Sequence, residues 1–222
     1  PLRAEQARRL ADADVHPRWL SALHQIETDA PVILIGNEVL DCMPARQFMK
    51  TEGGWAERRV GVTDDDELTF GLVAISGGFE RPEYDVEPGQ VIEISEQQAA
   101  FARDLATLVK AASGAALLID YGRSHPGAGD TLQGLRRHQK VDPLTTPGEA
   151  DLTQWADYPL VLEAAVRTGA DVTGCVSQGA FLKALGIEAR AQRLMQARPD
   201  AAPVIQRQLD RLTAPDQMGE LF

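Results

Sequence analysis

Three features of the sequence predict an α/β fold with a parallel sheet. The segments 30–36 and 115–119 are short, continuous apolar runs next to glycine, the pattern of strands buried on both faces of such a sheet. Polar residues follow each run at once, and helical stretches lie between and after them. Hydrophobic residues make up 44% of the 222 residues, so the whole chain can form one medium-sized domain with a packed core.

The first half of the chain predicts a helix, the first parallel strand and an antiparallel β-rich insertion. Residues 4–10 have a helical pattern, and 30–36 form the strand. Over 45–94 the pattern changes to short strands separated by turns rich in glycine and aspartate. The expected strands are 47–50, 55–62, 68–73 and 91–94, with a loop at Gly77, Gly78 and Pro82.

The second half predicts a helix, the second parallel strand, a long loop and a helical end. Ser95 is a typical N-cap for a helix over 96–112, because its side chain can accept a hydrogen bond from the first turn. After the strand 115–119, residues 122–151 are rich in glycine and proline, and we assign 122–158 to a loop that closes over an active site. The remaining expected elements are helices at 160–168, 179–185, 188–197 and 201–212, within a helical part over 159–222, and a small strand at 172–176.

The composition excludes several classes of function. With a formal net charge of −11, the chain would repel phosphates and is a poor non-specific ligand for nucleic acid. Cys42 and Cys175 are far apart, so neither a disulfide scaffold nor a cysteine zinc site is expected. No apolar run reaches membrane-spanning length. We therefore expect a reducing compartment, no nucleic-acid partner, no membrane insertion and no metal.

Polar residues mark the carboxyl ends of the two predicted parallel strands. Asn37 and Glu38 follow the first strand, with Asp41 close behind, and Asp120 and Tyr121 follow the second. Open parallel sheets bind ligands in the crevice beyond these ends, so the side chains are candidates for one site if the strands are neighbours. Asn and Asp are also common turn residues and helix caps, and their spacing alone leaves both interpretations open.

The wider pattern resembles the MidA family of S-adenosylmethionine-dependent methyltransferases. The run Asn37-Glu38-Val39-Leu40-Asp41-Cys42-Met43-Pro44-Ala45-Arg46-Gln47 resembles the family's Asn-Glu-x-x-Asp-x-x-Pro-x-Arg-Gln stretch. Further matches, in the same order as in the family, are Leu118–Gly122, Gly129–Gln133, His138, Asp142–Leu144, Pro147-Gly148, Asp151–Thr153, Gln178–Leu182 and Met218–Phe222. The resemblance runs from Pro1 to Phe222, and the ordered set is more specific than any single motif.

The resemblance implies a fold, a cofactor and a substrate. It implies a Rossmann-like class I methyltransferase sheet with the antiparallel insertion, S-adenosylmethionine as cofactor and protein arginine as the methyl acceptor. For bacteria it implies a cytoplasmic protein; for mitochondria, a matrix protein that assists assembly of respiratory complex I. We expect a protein substrate that bears the arginine, and we keep a homodimer as a candidate assembly.

The chemistry of arginine methylation assigns roles to the candidate residues. A guanidinium stays protonated, so a carboxylate that pairs with it can both orient it and help remove its proton. Glu38 is the first candidate for this catalytic role, and Asp41 and Asn37 are the others. We assign cofactor contacts to Gly36, Asn37 and Trp19. We assign substrate contacts to Asp120, Tyr121, His138, Asp151, Thr153 and Trp155.

The chain departs from the family pattern at two places, and two other functions stay open. The family's glycine-rich turn after its first strand is absent, together with the acidic residue that would bind ribose, so we expect a fragment of a longer protein whose preceding segment supplies both. Trp155 stands where the family has histidine. A non-catalytic assembly chaperone and a small-molecule methyltransferase are the alternatives, because Rossmann-like folds support many chemistries.

Overall fold

A computed structural model of the chain describes residues 2–14, 16–75, 79 and 82–220. The helices are α1 Leu2–Arg9, α2 Glu96–Ala111, α3 Tyr158–Arg167, α4 Gln178–Ala184, α5 Ile187–Ala197 and α6 Ala202–Thr213. The strands are β1 Ile33–Asn37, β2 Arg46–Thr51, β3 Gly54–Val62, β4 Leu68–Ala74, β5 Val91–Ile94, β6 Ala115–Ile119, β7 Gly122–Arg123, β8 Gln133–Arg136, β9 Gln139–Val141, β10 Asp151–Thr153 and β11 Ala156–Asp157. The residues Pro1, Gly77, Gly78, Leu221 and Phe222, named in the sequence analysis, lie outside the described part.

The two strands that carry polar residues at their ends are parallel neighbours, as the sequence predicts. Pairing runs in register from Ile33 opposite Ala115 to Asn37 opposite Ile119. The prediction that both faces of β1 are buried is wrong: Ile33 is 82% and Ile35 is 69% exposed. Their side chains share one face of the sheet, and no element in the described part of the chain covers that face.

The β-rich segment folds into a four-stranded antiparallel sheet in the order β4-β3-β2-β5. The long pairing of β3 with β4 and the central position of β2 confirm the predicted antiparallel strands. This sheet starts directly after the turn that follows β1, so it places its β2 and β3 residues beside the carboxyl ends of the parallel strands. The limits 45–94 of an insertion remain a prediction.

The core is formed by helices α2 and α3 and by residues of the turn after β1. The Ser95 side chain accepts a hydrogen bond from the Gln98 backbone, at 3.2 Å, and caps α2 as predicted. One cluster of buried residues comprises Leu40, Ala99, Ala102, Ala156, Tyr158, Val161 and Ala164. Leu40 is fully buried and lies in the turn between β1 and β2, so the core holds this turn in place.

The predicted strand at 172–176 is wrong. In the structure this segment is irregular and joins α3 to α4, and Val176 is 60% exposed. Gly174 has a φ of +81°, a left-handed conformation that interrupts an extended chain. The predicted helices of the last third match α3 to α6 within a few residues. Among the described residues, none of the helices combines the length and the apolar composition needed to cross a bilayer.

The long segment after β6 contains more secondary structure than predicted. Strands β8, β9 and β10 form an antiparallel sheet in the order β10-β8-β9, and β7 pairs with β11 in parallel. The hairpin between β8 and β9 has a two-residue turn, Arg137-His138, because Arg136 pairs directly with Gln139. Part of the predicted loop is therefore a small sheet, and closure of the segment 122–158 over an active site stays a prediction.

Candidate active site

The turn that follows β1 is held by a buried carboxylate from the end of β6. Oδ2 of Asp120 accepts hydrogen bonds from the backbone of Leu40, at 2.8 Å, and of Asp41, at 3.2 Å. Its other oxygen accepts one from the backbone of Tyr121 at 2.9 Å. Burial raises the pKa of Asp120, and these amide donors act in the opposite direction. Because its carboxylate accepts hydrogen bonds from backbone amides, Asp120 holds the turn in place, and its predicted contact with the substrate stays a prediction.

Glu38 has an unusual backbone conformation at this turn. Its φ is +49°, in the left-handed region that non-glycine residues rarely occupy, and its backbone N–H donates to Ile119 at 2.9 Å. Such a conformation costs on the order of 1–3 kcal/mol and concentrates at functional sites. Buried Leu40 and the Asp120 hydrogen bonds oppose this strain. The result places the side chains of Asn37 and Glu38, both exposed, at the carboxyl end of β1.

Asp41 and Tyr121 form a hydrogen-bonded pair across the two strand ends. The Tyr121 hydroxyl donates to Oδ2 of Asp41, whose residue is 6% exposed. Burial raises the pKa of Tyr121, and the bond to Asp41 raises it further. The hydroxyl therefore stays protonated at neutral pH and continues to donate to the carboxylate. The Gln154 backbone also donates to the Asp41 carbonyl at 3.0 Å, which ties this turn to β10.

Next to this pair lies a cavity of about 410 Å³, between the turn, the antiparallel sheet and the β8–β10 sheet. Its volume is within the range of small-ligand sites. It is lined by Asp41, Cys42, Met43, Pro44, Ala45, Arg46, Gln47, Glu57, Arg58, Val60, Phe70, Leu132, Leu152, Thr153 and Gln154. Apolar walls with a few charged groups suit a long side chain that carries a charged end.

Glu57 contributes a second carboxylate to the cavity wall, but its oxygens are already paired. Arg46 donates to one oxygen at 2.8 Å and Arg59 donates to the other at 2.6 Å. The hydrogen bond from Arg46 is the largest cause, and that from Arg59 the next, of a pKa lowered to about 2. Glu57 is therefore ionised at neutral pH, and both of its oxygens are paired within the sheet. Asp41, in contrast, forms no ion pair with any residue that the structure describes.

A buried polar network joins the long segment after β6 to the antiparallel sheet. Glu93 accepts from Gln47 at 2.8 Å, from Arg123 at 3.1 Å and from the Thr131 hydroxyl at 2.5 Å. The side chains of Arg123 and Glu93 are 9% and 5% exposed. Asp130 forms a bidentate pair with Arg58, at 2.6 and 2.9 Å. The first third of the long segment is thus fixed to β2, β3 and β5.

A second cavity, of about 510 Å³, lies between the segment 20–26 and α2. Met43, in the turn after β1, lines both cavities and therefore lies between them. Trp19 precedes this segment and is 37% exposed, and its Nε1 donates to Gln6 at 2.7 Å. Its predicted contact with the cofactor stays a prediction.

The other predicted site residues are found in three different surroundings. A Cβ on Gly36 would lie 2.9 Å from the side chains of Leu118 and Val39, so the glycine allows close packing between β1, β6 and the turn after β1. Thr153 lines the first cavity, and Trp155 is 46% exposed. Asp151 and His138 are exposed, in β10 and at the tip of the β8–β9 hairpin.

Sequence reasoning missed several residues that shape the site. Gln98 is fully buried: its amide donates to the Leu40 carbonyl at 3.0 Å and accepts from the Asp157 backbone at 2.9 Å. The sequence did offer a signal for this role, because Gln98 lies on the apolar face of α2, one turn before Ala102. The pairing of Glu57 with two arginines was not predictable, since Arg46 reaches it from another strand.

The site lies where two parallel strands end, at an acidic turn beside a cavity with a buried carboxylate. This arrangement is typical of an α/β domain that binds a ligand at its strand ends. The chain belongs to the family described as "Putative S-adenosyl-L-methionine-dependent methyltransferase", which matches residues 1–176. The predicted resemblance is thereby confirmed.

Proteins of similar sequence are also named as methyltransferases. The "Protein arginine methyltransferase NDUFAF7, mitochondrial" of Rattus norvegicus is 34% identical over 211 residues, and that of Xenopus laevis is 35% identical over 199 residues. The alignments cover 92% and 85% of this chain but 47% and 44% of those proteins. The chain therefore spans about half the length of the curated relatives it matches.

Solved structures confirm the predicted fold class. A COG1565 superfamily protein of Burkholderia thailandensis, bound to S-adenosyl-homocysteine, matches with a TM-score of 0.82 and 30% identity. The match covers 99% of this chain and 59% of that one. A second structure of a COG1565 superfamily protein from the same organism matches with a TM-score of 0.81, also at 30% identity, over 99% of this chain and 61% of the other.

Proposed function

We propose that the protein transfers a methyl group from S-adenosylmethionine to an arginine of a partner protein, and that this chain supplies the acceptor side of the site. The observation that carries the proposal is the pair of carboxylates, Glu38 and Asp41, in one strained turn of which Asp41 lines the cavity. The family of the chain and the relatives named as arginine methyltransferases support it.

Glu38 is the proposed catalytic carboxylate. A guanidinium has a pKa above about 12, so the attacking nitrogen must be oriented and must lose a proton during the reaction. A carboxylate can form a bidentate pair with the planar group and accept that proton. Glu38 is exposed at the strand end, and its backbone is held by the hydrogen bond to Ile119, so its carboxylate is accessible to an acceptor at this edge of the sheet.

Asp41 is the proposed second carboxylate, and Tyr121 positions it. The hydroxyl of Tyr121 engages one carboxylate oxygen, which leaves the other for an acceptor in the cavity. Thr153 lines the same cavity, and we propose that it contacts the acceptor together with Trp155, whose ring can stack on a guanidinium.

Residues at the carboxyl end of β1 suit the amino-acid portion of S-adenosylmethionine. Bound S-adenosylmethionine supplies the electrophilic methyl group. Asn37 is exposed at the carboxyl end of β1 and offers both a donor and an acceptor, which suits the amino-acid portion of that molecule. Gly36 is packed against Leu118 and Val39, so we do not propose it as a cofactor contact.

Calorimetry and a methylation assay, both on a protein that includes the cofactor-binding segment expected before this chain, test the proposal against its alternatives. We expect S-adenosylmethionine to bind, and methyl groups from it to appear on arginine-bearing peptides in an array. Absence of cofactor binding would favour the assembly chaperone. Cofactor binding with methylation of small amines or acids, but of no peptide, would favour a small-molecule methyltransferase. A cytoplasmic or mitochondrial location and a role in complex I assembly stay predictions from the family resemblance.

A further inference from the structure

The tip of the β8–β9 hairpin is a cluster of positive charge on an acidic protein. Arg136, Arg137, His138 and Lys140 lie within five residues, whereas the whole chain has a formal net charge of −11. Arg136 pairs with Glu149, but Arg137 and Lys140 form no ion pair with any residue that the structure describes. Both side chains are exposed, so two positive charges at this tip are free to meet a partner.

The backbone of the tip has a conformation that its residue types rarely adopt. Arg137 and His138 have φ values of +51° and +63°, which make a type I′ turn. This turn normally contains asparagine and glycine, because other residues lose conformational free energy at positive φ. Two large side chains, one of them the cationic Arg137, where a turn favours Asn-Gly indicate a requirement for the side chains themselves.

The hairpin begins at the wall of the first cavity. Leu132, which precedes β8, lines the cavity, and so does Leu152, which pairs with Gly134 of β8. At about 3.3 Å per residue, the tip lies about 16 Å along the strand from Leu132. An extended peptide with one side chain in the cavity therefore reaches the tip about five residues away.

We propose that the tip of the β8–β9 hairpin, Arg136–Lys140, docks an acidic segment of the acceptor protein about four to six residues from the arginine that is methylated. The proposal rests on the proposed function for the identity of the partner. Carboxylates match the free charges of Arg137 and Lys140. Nucleic acid fits less well, because its continuous phosphates would meet the negative charge of the rest of the surface.

Steady-state methylation of synthetic peptides tests the proposal. Each peptide has 15 residues with one central arginine in an alanine–serine background and two aspartates placed at successive distances from it. We expect the lowest KM with aspartates four to six residues away on one side. Arg137→Glu with Lys140→Glu should raise that KM about tenfold at low salt, and the difference should vanish near 0.5 M salt, where surface charges are screened.

Two further variants separate docking from general effects. Arg190→Glu with Arg193→Glu makes the same change of charge on the exposed face of α5 and should leave KM unchanged. Arg137→Asn with His138→Gly should raise the melting temperature, since it relieves the turn, and yet raise KM. An unchanged KM in this variant would show that the tip serves only the hairpin and would overturn the proposal.

Direct binding distinguishes failure of the docking surface from failure of the proposed function. A fluorescein-labelled Asp-rich peptide without arginine should bind the protein, as measured by anisotropy, and the double glutamate variant should bind it at least tenfold more weakly. This result would support the docking surface even if no peptide were methylated. Equal binding by both proteins, or tighter binding of a single-stranded RNA with the same number of charges, would overturn it.

Discussion

At the carboxyl end of β1, Glu38 has an exposed carboxylate on a left-handed backbone. We predict that Glu38→Gln lowers the kcat for arginine methylation by about 10²–10⁴-fold and changes the affinity for S-adenosylmethionine little. Glutamine keeps the size of the side chain but can neither pair ionically with a guanidinium nor accept its proton in the transition state. Single-turnover methylation and calorimetry on the protein measure the two effects separately.

A matched variant controls for loss of charge alone. Glu27→Gln removes an exposed carboxylate between the 3₁₀ turn Leu23–Gln25 and β1 and should leave kcat unchanged. If Glu38→Gln retains full turnover on a peptide that the native protein methylates, Glu38 has a structural role and Asp41 becomes the candidate base.

Glu57 makes stability depend on acid pH. Its pKa in the folded protein is lowered from 4.5 to about 2 by Arg46 and Arg59, so its ionised form stabilises the fold above about pH 4.5. This stabilisation is lost as the pH falls from about 4.5 to about 2. We expect it to amount to no more than about 1–2 kcal/mol, because the arginine side chains are 58% and 60% exposed and solvent screens the pairs.

Urea unfolding at several pH values measures this contribution. Between pH 6 and pH 3, the native protein should lose more free energy of unfolding than Glu57→Gln does. Parallel pH profiles for the two proteins would contradict the assigned pairs of Glu57.

At the scale of elements, the segment after β6 is divided into a fixed part and an exposed hairpin. The Glu93–Arg123 pair and the hydrogen bonds of Thr131 fix its first third to the antiparallel sheet. The sequence predicted a loop that closes over the active site, and residues 123–129 cannot move in this way without breaking a buried ion pair. Deleting them should therefore lower the melting temperature and the activity together.

The buried pair itself provides a sharper test. We predict that Arg123→Met lowers the free energy of unfolding by about 3–5 kcal/mol, because it leaves the Glu93 charge buried without its cation. Arg136→Met removes an arginine from the exposed pair with Glu149 and should cost less than about 1 kcal/mol. Equal costs in chemical denaturation would show that Arg123 does not fix the segment.

At the scale of the whole molecule, one face of the parallel sheet lacks cover in the described part of the chain. Parallel sheets are normally buried on both faces, so we predict that a segment preceding Pro1 packs on Ile33 and Ile35. In a protein that includes such a segment, Ile35→Ala should lower the free energy of unfolding by about 2–5 kcal/mol. In the 222-residue chain the same change should cost less than about 0.5 kcal/mol.

Val62→Ala, at a 64% exposed position on β3, serves as the control. It should change the free energy of unfolding little in both proteins. Equal, small effects of Ile35→Ala in the two proteins would contradict the prediction. A cost that depends on protein concentration would instead indicate that a second copy of the chain covers this face.

Local patterns were sufficient to predict the elements with a strong signature. The two apolar runs, the Ser95 cap and the turn-separated strands of the insertion all correspond to structure, because hydrophobic periodicity and capping act over a few residues. The same reasoning failed at 172–176, where a β-branched run suggested a strand but Gly174 adopts a left-handed conformation.

The sequence by itself determined the α/β class, the family and the presence of an acidic turn at the end of a parallel strand. The tertiary structure alone decided what each carboxylate does. Asp120, Asp41 and Glu57 look alike in the sequence, yet the first accepts from backbone amides, the second accepts from a tyrosine hydroxyl and the third is paired with two arginines. Each of them has a partner from another strand or turn, namely Leu40 for Asp120, Tyr121 for Asp41 and Arg46 for Glu57. Only folding brings such groups within hydrogen-bonding distance.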